Sequence, residues 1–266
     1  MVGKEVRMGR LFTTGKAVIV AADHGAYMGP FKGIDELPKQ IYAFKRADGL
    51  LLMPGMEKQC KDFFSKKDSP LCIIRINYAT HYIKAYDYTK GYNERLVSVK
   101  HAVAMGADMV MASLLFSGND EANARNVNQF GEYVEEADAL GIPLIGEYIP
   151  MGSIDTFSDN IERLSLGTRA VAEFGADMIK TVYVDKFEEI TKTAGIPVFG
   201  LGGAKTDKPI DSFQVAKKAV EKGAAGVVFG RNVVCASDPV KYLDLLINIV
   251  KHGMDPEEAA GSYGGN

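Results

Sequence analysis

Eight short apolar runs, separated by longer amphipathic stretches, constrain this chain more than any other feature. They are Ala17 to Ala22, Gly49 to Met53, Leu71 to Asn77, Asp108 to Leu115, Ile142 to Ile149, Asp177 to Tyr183, Ile196 to Leu201 and Ala225 to Gly230. They recur about every 25 to 35 residues, the rhythm of repeated β-α units in a parallel sheet. The runs are nearly continuous in Val, Ile, Leu, Met and Ala, as strands buried on both faces must be. Four of them follow a helix-ending glycine, Gly106, Gly141, Gly175 or Gly223, where a left-handed cap turns the chain into the next strand. Eight such units close most simply as an α/β fold, a single-domain (β/α)8 TIM barrel over residues 1–266. A doubly wound open sheet is the alternative, but no glycine fingerprint follows the first run. No linker marks a second domain. Residues 255–266 are glycine-rich at their end and read as a flexible, fraying tail. The segment Arg10 to Phe12, ahead of the first run, is placed to pack under the lower mouth.

Composition removes several function classes. Lys plus Arg is 31 against 34 for Asp plus Glu, a formal net charge of -3, so no basic field calls for nucleic acid. Any anion site must therefore be local. Cys60, Cys72 and Cys235 are odd in number and lack CxxC spacing, which fits a reducing cytoplasm better than a disulfide scaffold or a zinc site. The N-terminal stretch carries no apolar run of signal-peptide length, and no run anywhere approaches the roughly 20 residues of a membrane span. His24, His81, His101 and His252 have no metal-ligand spacing, so no metal is expected.

Lys180 ends the apolar run of the sixth strand, where a cation calls for a reason. Burial disfavours the ammonium and favours the neutral amine, the form that attacks a carbonyl carbon. The functional reading is a Schiff-base lysine. The bland one is a strand-end lysine that reaches solvent or pairs with Asp185 or Glu147.

In a barrel, chemistry gathers at the C-terminal strand ends and phosphate in the loops after the seventh and eighth strands. Those loops read Gly200-Leu-Gly-Gly-Ala-Lys-Thr206 and Gly230-Arg-Asn232. Gly202, Gly203 and Gly230 let backbone N–H groups approach an anion, and Lys205 and Arg231 supply charge. The first strand delivers Asp23 and His24 to the same mouth, Asp23 to meet a substrate hydroxyl or the lysine. Strict alternation lets only one of the two face the axis. Strand five supplies Glu147 and Tyr148 as proton-transfer candidates, again with only one inward. Glu147 is the better candidate, because an unpaired inward carboxylate is costly unless it has a function, while a tyrosine packs readily between sheet and helix. Pro150 can end the pleat early enough to let Tyr148 reach the site. Five tyrosines in the run from Asn77 through Tyr92 suggest either a lid or subunit contact, or surface packing.

Taken together, DHG with GP shortly after, IKT-Y-V, GG-KT and GRN resemble the archaeal-type class I fructose-bisphosphate aldolase family. That family also holds aminodideoxyheptulosonate synthase and autoinducer-2 phosphate thiolase. The resemblance spans about Arg10 to His252. It implies a (β/α)8 barrel, no metal or other cofactor, a homo-oligomer, and a Schiff base on Lys180. By motif, Asp23 would serve substrate hydroxyls and proton transfer, and Gly202, Gly203, Lys205, Gly230 and Arg231 would hold phosphate, with His24 beside them. The implied activity is aldol cleavage or formation of a phosphorylated ketose, with dihydroxyacetone phosphate as the ketone product. Acyl transfer to coenzyme A, as in the thiolase, is an alternative, as is a phosphate-binding isomerase or silent binding protein. One departure stands out. Pro150-Met-Gly152 aligns with the family's Pro-Arg-Gly, which leaves Ile149 where a tyrosine donor and Met151 where an arginine phosphate contact would stand.

Overall fold

A computed structural model describes residues 1–80, 92–117, 119–150 and 161–264. Each apolar run contains a strand of a closed parallel barrel: β1 Ala17–Ala21, β2 Gly49–Leu52, β3 Leu71–Arg75, β6 Met109–Leu114, β7 Leu144–Tyr148, β8 Met178–Val182, β9 Val198–Leu201 and β10 Gly226–Phe229. β4 Asn77–Ala79 and β5 Asn93–Arg95 form a separate antiparallel pair inserted after β3. The barrel closes through β1 against β10, with Ala17 opposite Gly226. The four helix-ending glycines have φ of +97°, +63°, +103° and +92°, the left-handed turn read from their spacing.

Alternation along the strands divides the core. Inward residues, among them Ala17, Ile19, Ile73, Met109, Met111, Ile145, Met178, Phe199 and Val228, fill the barrel. Outward residues join the surrounding helices in two larger clusters. The lower mouth is closed by the helix Val2–Leu11, whose Leu11 is fully buried. Phe12 stacks on Phe199, with centroids 5.9 Å apart.

Three aspartates at strand entrances repeat one device. Asp48, Asp108 and Asp177 accept the backbone N–H of Val18, Cys72 and Leu144 at 2.7, 2.9 and 2.8 Å. Each also holds a cation distant in sequence: Lys251, Arg10 and Lys4 respectively. The carboxylate thus satisfies a strand N–H left open at the barrel's lower rim and anchors a helix to it, Val2–Leu11 through Lys4 and Arg10 and Pro239–His252 through Lys251. Asp177→Ala leaves the buried Leu144 N–H without a partner and should cost about 2 kcal/mol, read as a lowered denaturant midpoint.

The chain after 254 departs from expectation. Instead of fraying, Pro256–Tyr263 is a helix capped by Asp255, whose side chain accepts from the N–H of Glu257 and Glu258. Ala259 is fully buried, and Tyr263 packs edge-on against Tyr242. Glycine content at the extreme end masked a capping motif and an apolar anchor just before it. The tyrosine-rich stretch 81–91, with His81, and residues 151–160, with Met151, lie outside the described residues. Among the described residues, no helix is long and apolar enough to cross a membrane.

Candidate active site

Above the apolar filling, the topmost inward layer of the barrel is polar. β3 continues its inward series from Ile73 to Arg75, β6 from Met111 to Ser113, β7 from Ile145 to Glu147 and β8 from Met178 to Lys180. The register sets Ser113 opposite Glu147 and Glu147 opposite Lys180. Four strands therefore deliver their charged or hydroxyl side chains to one level at the C-terminal mouth. Asp23 joins them from the turn after β1.

These groups form one buried chain of hydrogen bonds. Lys180 Nζ lies 2.6 Å from Glu147 Oε1. The other oxygen, Oε2, accepts from Ser113 Oγ at 2.6 Å and pairs with Arg75 Nη1 at 2.9 Å. Arg75 Nε donates to Asp23 Oδ2 at 2.6 Å, and its Nη1 also donates to Ser113 Oγ at 2.8 Å. Arg75 and Glu147 are 1% exposed, Asp23 3% and Lys180 7%, so two cations and two anions sit almost out of water. Burial pushes the Glu147 carboxyl up, but the Arg75 and Lys180 charges outweigh it and hold the group well below the usual carboxylate range. Asp23 is likewise lowered, the same two cations overcoming burial. Burial holds His24 below its ordinary value, toward neutral imidazole.

Both pairing candidates raised for Lys180 are thereby resolved: Glu147 is its partner, inside the barrel, and that placement suits chemistry as well as charge balance. Both Asp23 and His24 reach the mouth, because β1 ends at Ala21 and strand alternation no longer governs them. His24 Nδ1 stands 3.6 Å from Asp23 Oδ1, beyond hydrogen-bond reach. Gly230 makes room for that imidazole: a Cβ there would come within 2.2 Å of His24 Cε1.

Tyr148 is not part of this layer. Its side chain points outward from β7 onto the helix Ile161–Glu173, so flat against Gly167 that a Cβ there would lie 2.0 Å from the ring. The pleat runs through Tyr148 to the end of β7, and parity rather than Pro150 decides the direction. Tyr148→Phe should leave kcat within about twofold of wild type, since the ring serves packing alone; a loss of 100-fold would return the residue to the chemistry.

At the anion loops, Asn232 Nδ2 donates to the carbonyls of Gly202 and Ala204, both at 3.0 Å, while its Oδ1 accepts from Thr206 N at 2.9 Å. Arg231 Nη2 donates to Gly203 O at 3.0 Å. The two loops are thus stapled to each other. Gly203 takes φ +67° with open space beside it, and no hydrogen bond among the described residues uses the N–H of Gly203 or Ala204. Gly202 is explained by packing instead, for a Cβ would meet the Phe229 ring at 2.7 Å. Lys205 is exposed on the same loop.

Arg75, Ser113 and Asn232 escaped the sequence reading as site residues. The signal for Arg75 was present: an arginine inside the run Leu71-Cys-Ile-Ile-Arg-Ile76 poses the same question as Lys180 in its own run. Ser113 carries no such mark, because serine is unremarkable in a strand.

A model of the DeoC/LacD family of aldolases matches residues 17–236. An uncharacterized aldolase of Saccharolobus solfataricus is 32% identical over 97% of this chain and 98% of its own length. The 2-amino-3,7-dideoxy-D-threo-hept-6-ulosonate synthase 1 of Archaeoglobus fulgidus is 31% identical, covering 100% of this chain and 97% of that protein. Among solved structures, an archaeal fructose 1,6-bisphosphate aldolase superimposes with a TM-score of 0.80 at 25% identity, covering 93% of this chain and 99% of the other. A further structure of an archaeal fructose-1,6-bisphosphate aldolase, with the catalytic lysine covalently bound to the carbinolamine intermediate of the substrate, gives a TM-score of 0.80 at 26% identity, covering 92% of this chain and 98% of the other.

Proposed function

We propose, from the premise that this chain belongs to the DeoC/LacD family of aldolases and works through a lysine Schiff base, that Lys180 is that lysine and a phosphorylated ketose the substrate. The observation that carries this is Lys180 itself, 7% exposed at the C-terminal mouth of the barrel, with its Nζ 2.6 Å from a Glu147 oxygen placed to relay its proton. Proton transfer to Glu147 frees the amine, which attacks the ketone carbon. Glu147 then returns the proton to the carbinolamine hydroxyl, which leaves as water. The resulting iminium carries the same single positive charge as the ammonium it replaces. The four-charge set of Lys180, Arg75, Asp23 and Glu147 is therefore already arranged around the intermediate. As the C3–C4 bond breaks, its electron pair passes to the iminium nitrogen, and Asp23 is the acceptor we assign to the C4 hydroxyl proton. Protonation and hydrolysis of the enamine release dihydroxyacetone phosphate or a close analogue.

The phosphate falls to the N–H groups of Gly203 and Ala204, to Arg231, whose buried Nε has no partner among the described residues, and to Lys205 and Gly230, with His24 at the edge; the Gly202 N–H is already given to Val228 O at 3.1 Å. Arg231→Ala should raise KM for the phosphorylated ketone by about 10- to 100-fold with a smaller change in kcat. The 31% identity to an aminodideoxyheptulosonate synthase supports a second reading, in which the same lysine forms a bond to a different carbonyl partner. Free thiols at Cys60, Cys72 and Cys235 support a reducing cytoplasm as the compartment. Exposed Val2 and Val6, one turn apart, support a homo-oligomer through the N-terminal helix.

Borohydride reduction in the presence of dihydroxyacetone phosphate, followed by peptide mass spectrometry, tests the proposal. A stable adduct on Lys180 establishes the Schiff base and the ketone half. An adduct elsewhere, or none, rejects it, and activity that appears only with coenzyme A would select acyl transfer.

A further inference from the structure

Arg75 is the largest fully buried side chain among the described residues, and the chemistry proposed above makes no direct use of it. Its donors are committed inward: Nε to Asp23 at 2.6 Å, Nη1 to Ser113 Oγ at 2.8 Å and to Glu147 at 2.9 Å, and Nη2 to Met111 Sδ at 3.5 Å. The Tyr27 ring covers its outer face, with the guanidinium carbon 5.8 Å from the centroid, and Tyr27 itself stacks on Tyr78 at 4.9 Å. No substrate atom is expected to touch it. An arginine for lower-rim anchoring is already supplied by Arg10, and burying a guanidinium beside two carboxylates is costly without a return in function.

Resting on the Schiff-base reading, we infer that Arg75 is a positioning residue that decides where the Lys180 proton goes: by bridging Asp23 and Glu147 it keeps both as oriented carboxylates, so that neither retains the proton it receives.

Among the described residues, the groups facing Glu147 are Lys180 from β8, Arg75 from β3, Ser113 from β6, and Asp23, His24 and Tyr27 from the segment after β1. Among them Arg75 is the one fixed cation, since a guanidinium does not deprotonate in a protein. Lys180 becomes neutral in order to attack. At that moment Arg75 is the charge among the described residues that offsets two buried carboxylates, and without it they would share a proton more readily, as like charges in one site do. Removing Arg75 also leaves Lys180 facing both anions alone, which strengthens its hold on its own proton. Both effects move the working range to higher pH, by different routes: a carboxylate that already holds a proton cannot take the one on Lys180, and an ammonium facing two anions with no competing cation gives its proton up later.

The test is the pH dependence of borohydride-trapped adduct formation with dihydroxyacetone phosphate, in wild type, Arg75→Gln and Arg75→Lys. For Arg75→Gln the acidic limb should move up by at least about one pH unit, a tenfold change in proton affinity, with trapping at neutral pH slowed about 10- to 100-fold. Arg75→Lys should bring the limb most of the way back, because it restores charge without the bridging fork. A merely structural arginine would lower stability and scale the whole profile down, leaving the limb in place; that outcome overturns the inference. Absence of any adduct in wild type would instead reject the Schiff-base reading itself. Should Arg75→Gln fail to fold by circular dichroism, infrared titration of the intact protein decides, with Glu147→Gln to assign the band. A Glu147 carboxylate that persists below about pH 4, under the ordinary glutamate value, supports the inference, and one protonated above that value rejects it.

Discussion

Replacing Lys180 by methionine should lower turnover by at least about 10⁴-fold, the order lost when a covalent nucleophile is removed, and should abolish the borohydride adduct. The barrel should survive. Methionine fills the aliphatic path of the lysine stem, and Glu147 keeps Arg75 at 2.9 Å and Ser113 at 2.6 Å as partners. Breaking one arm of a buried ion network costs roughly 3 kcal/mol, tolerable within the 5 to 15 kcal/mol about which such domains are stable. Circular dichroism and a denaturant midpoint separate the two effects. Residual activity within tenfold of wild type would show that the lysine only balances charge.

Glu147→Gln should reduce kcat by about 10²- to 10⁴-fold, the range for loss of a positioned acid-base group. The adduct on Lys180 should still form, slowly. Glutamine preserves the shape and can accept from Ser113, but it cannot take the proton from the lysine or return it to the carbinolamine oxygen. The expected signature is thus a trapped enzyme with little turnover, the reverse of Lys180→Met, in which nothing is trapped. Equal loss of trapping in both variants would mean that Glu147 positions the lysine rather than moving its proton.

The contrast between Glu147 and Tyr148 shows how far local patterning reaches. Adjacent residues of a strand point to opposite faces, so one had to enter the barrel and the other the helix layer, and the cost of an unpaired inward carboxylate singled out the right one. The same rule does not reach Asp23 and His24, because whether a strand continues for one more residue depends on its neighbours. Asp23 and His24 stand beyond the last residue of β1, Ala21. At the C-terminus, glycine content concealed a helix whose reason lies in its contact with Tyr242, a residue from another helix.

The chain by itself determined the barrel, the mouth at which Lys180 stands, and the two glycine loops, because periodicity and glycine placement act over a few residues and need no partner to be read. Only the tertiary structure decided what Lys180 and Asp23 are paired with. Arg75 meets Asp23 across 52 residues and Ser113 across 38, and the pairing of a buried charge is fixed by barrel closure and register, which bring distant strands to one level. Local spacing carries no trace of that.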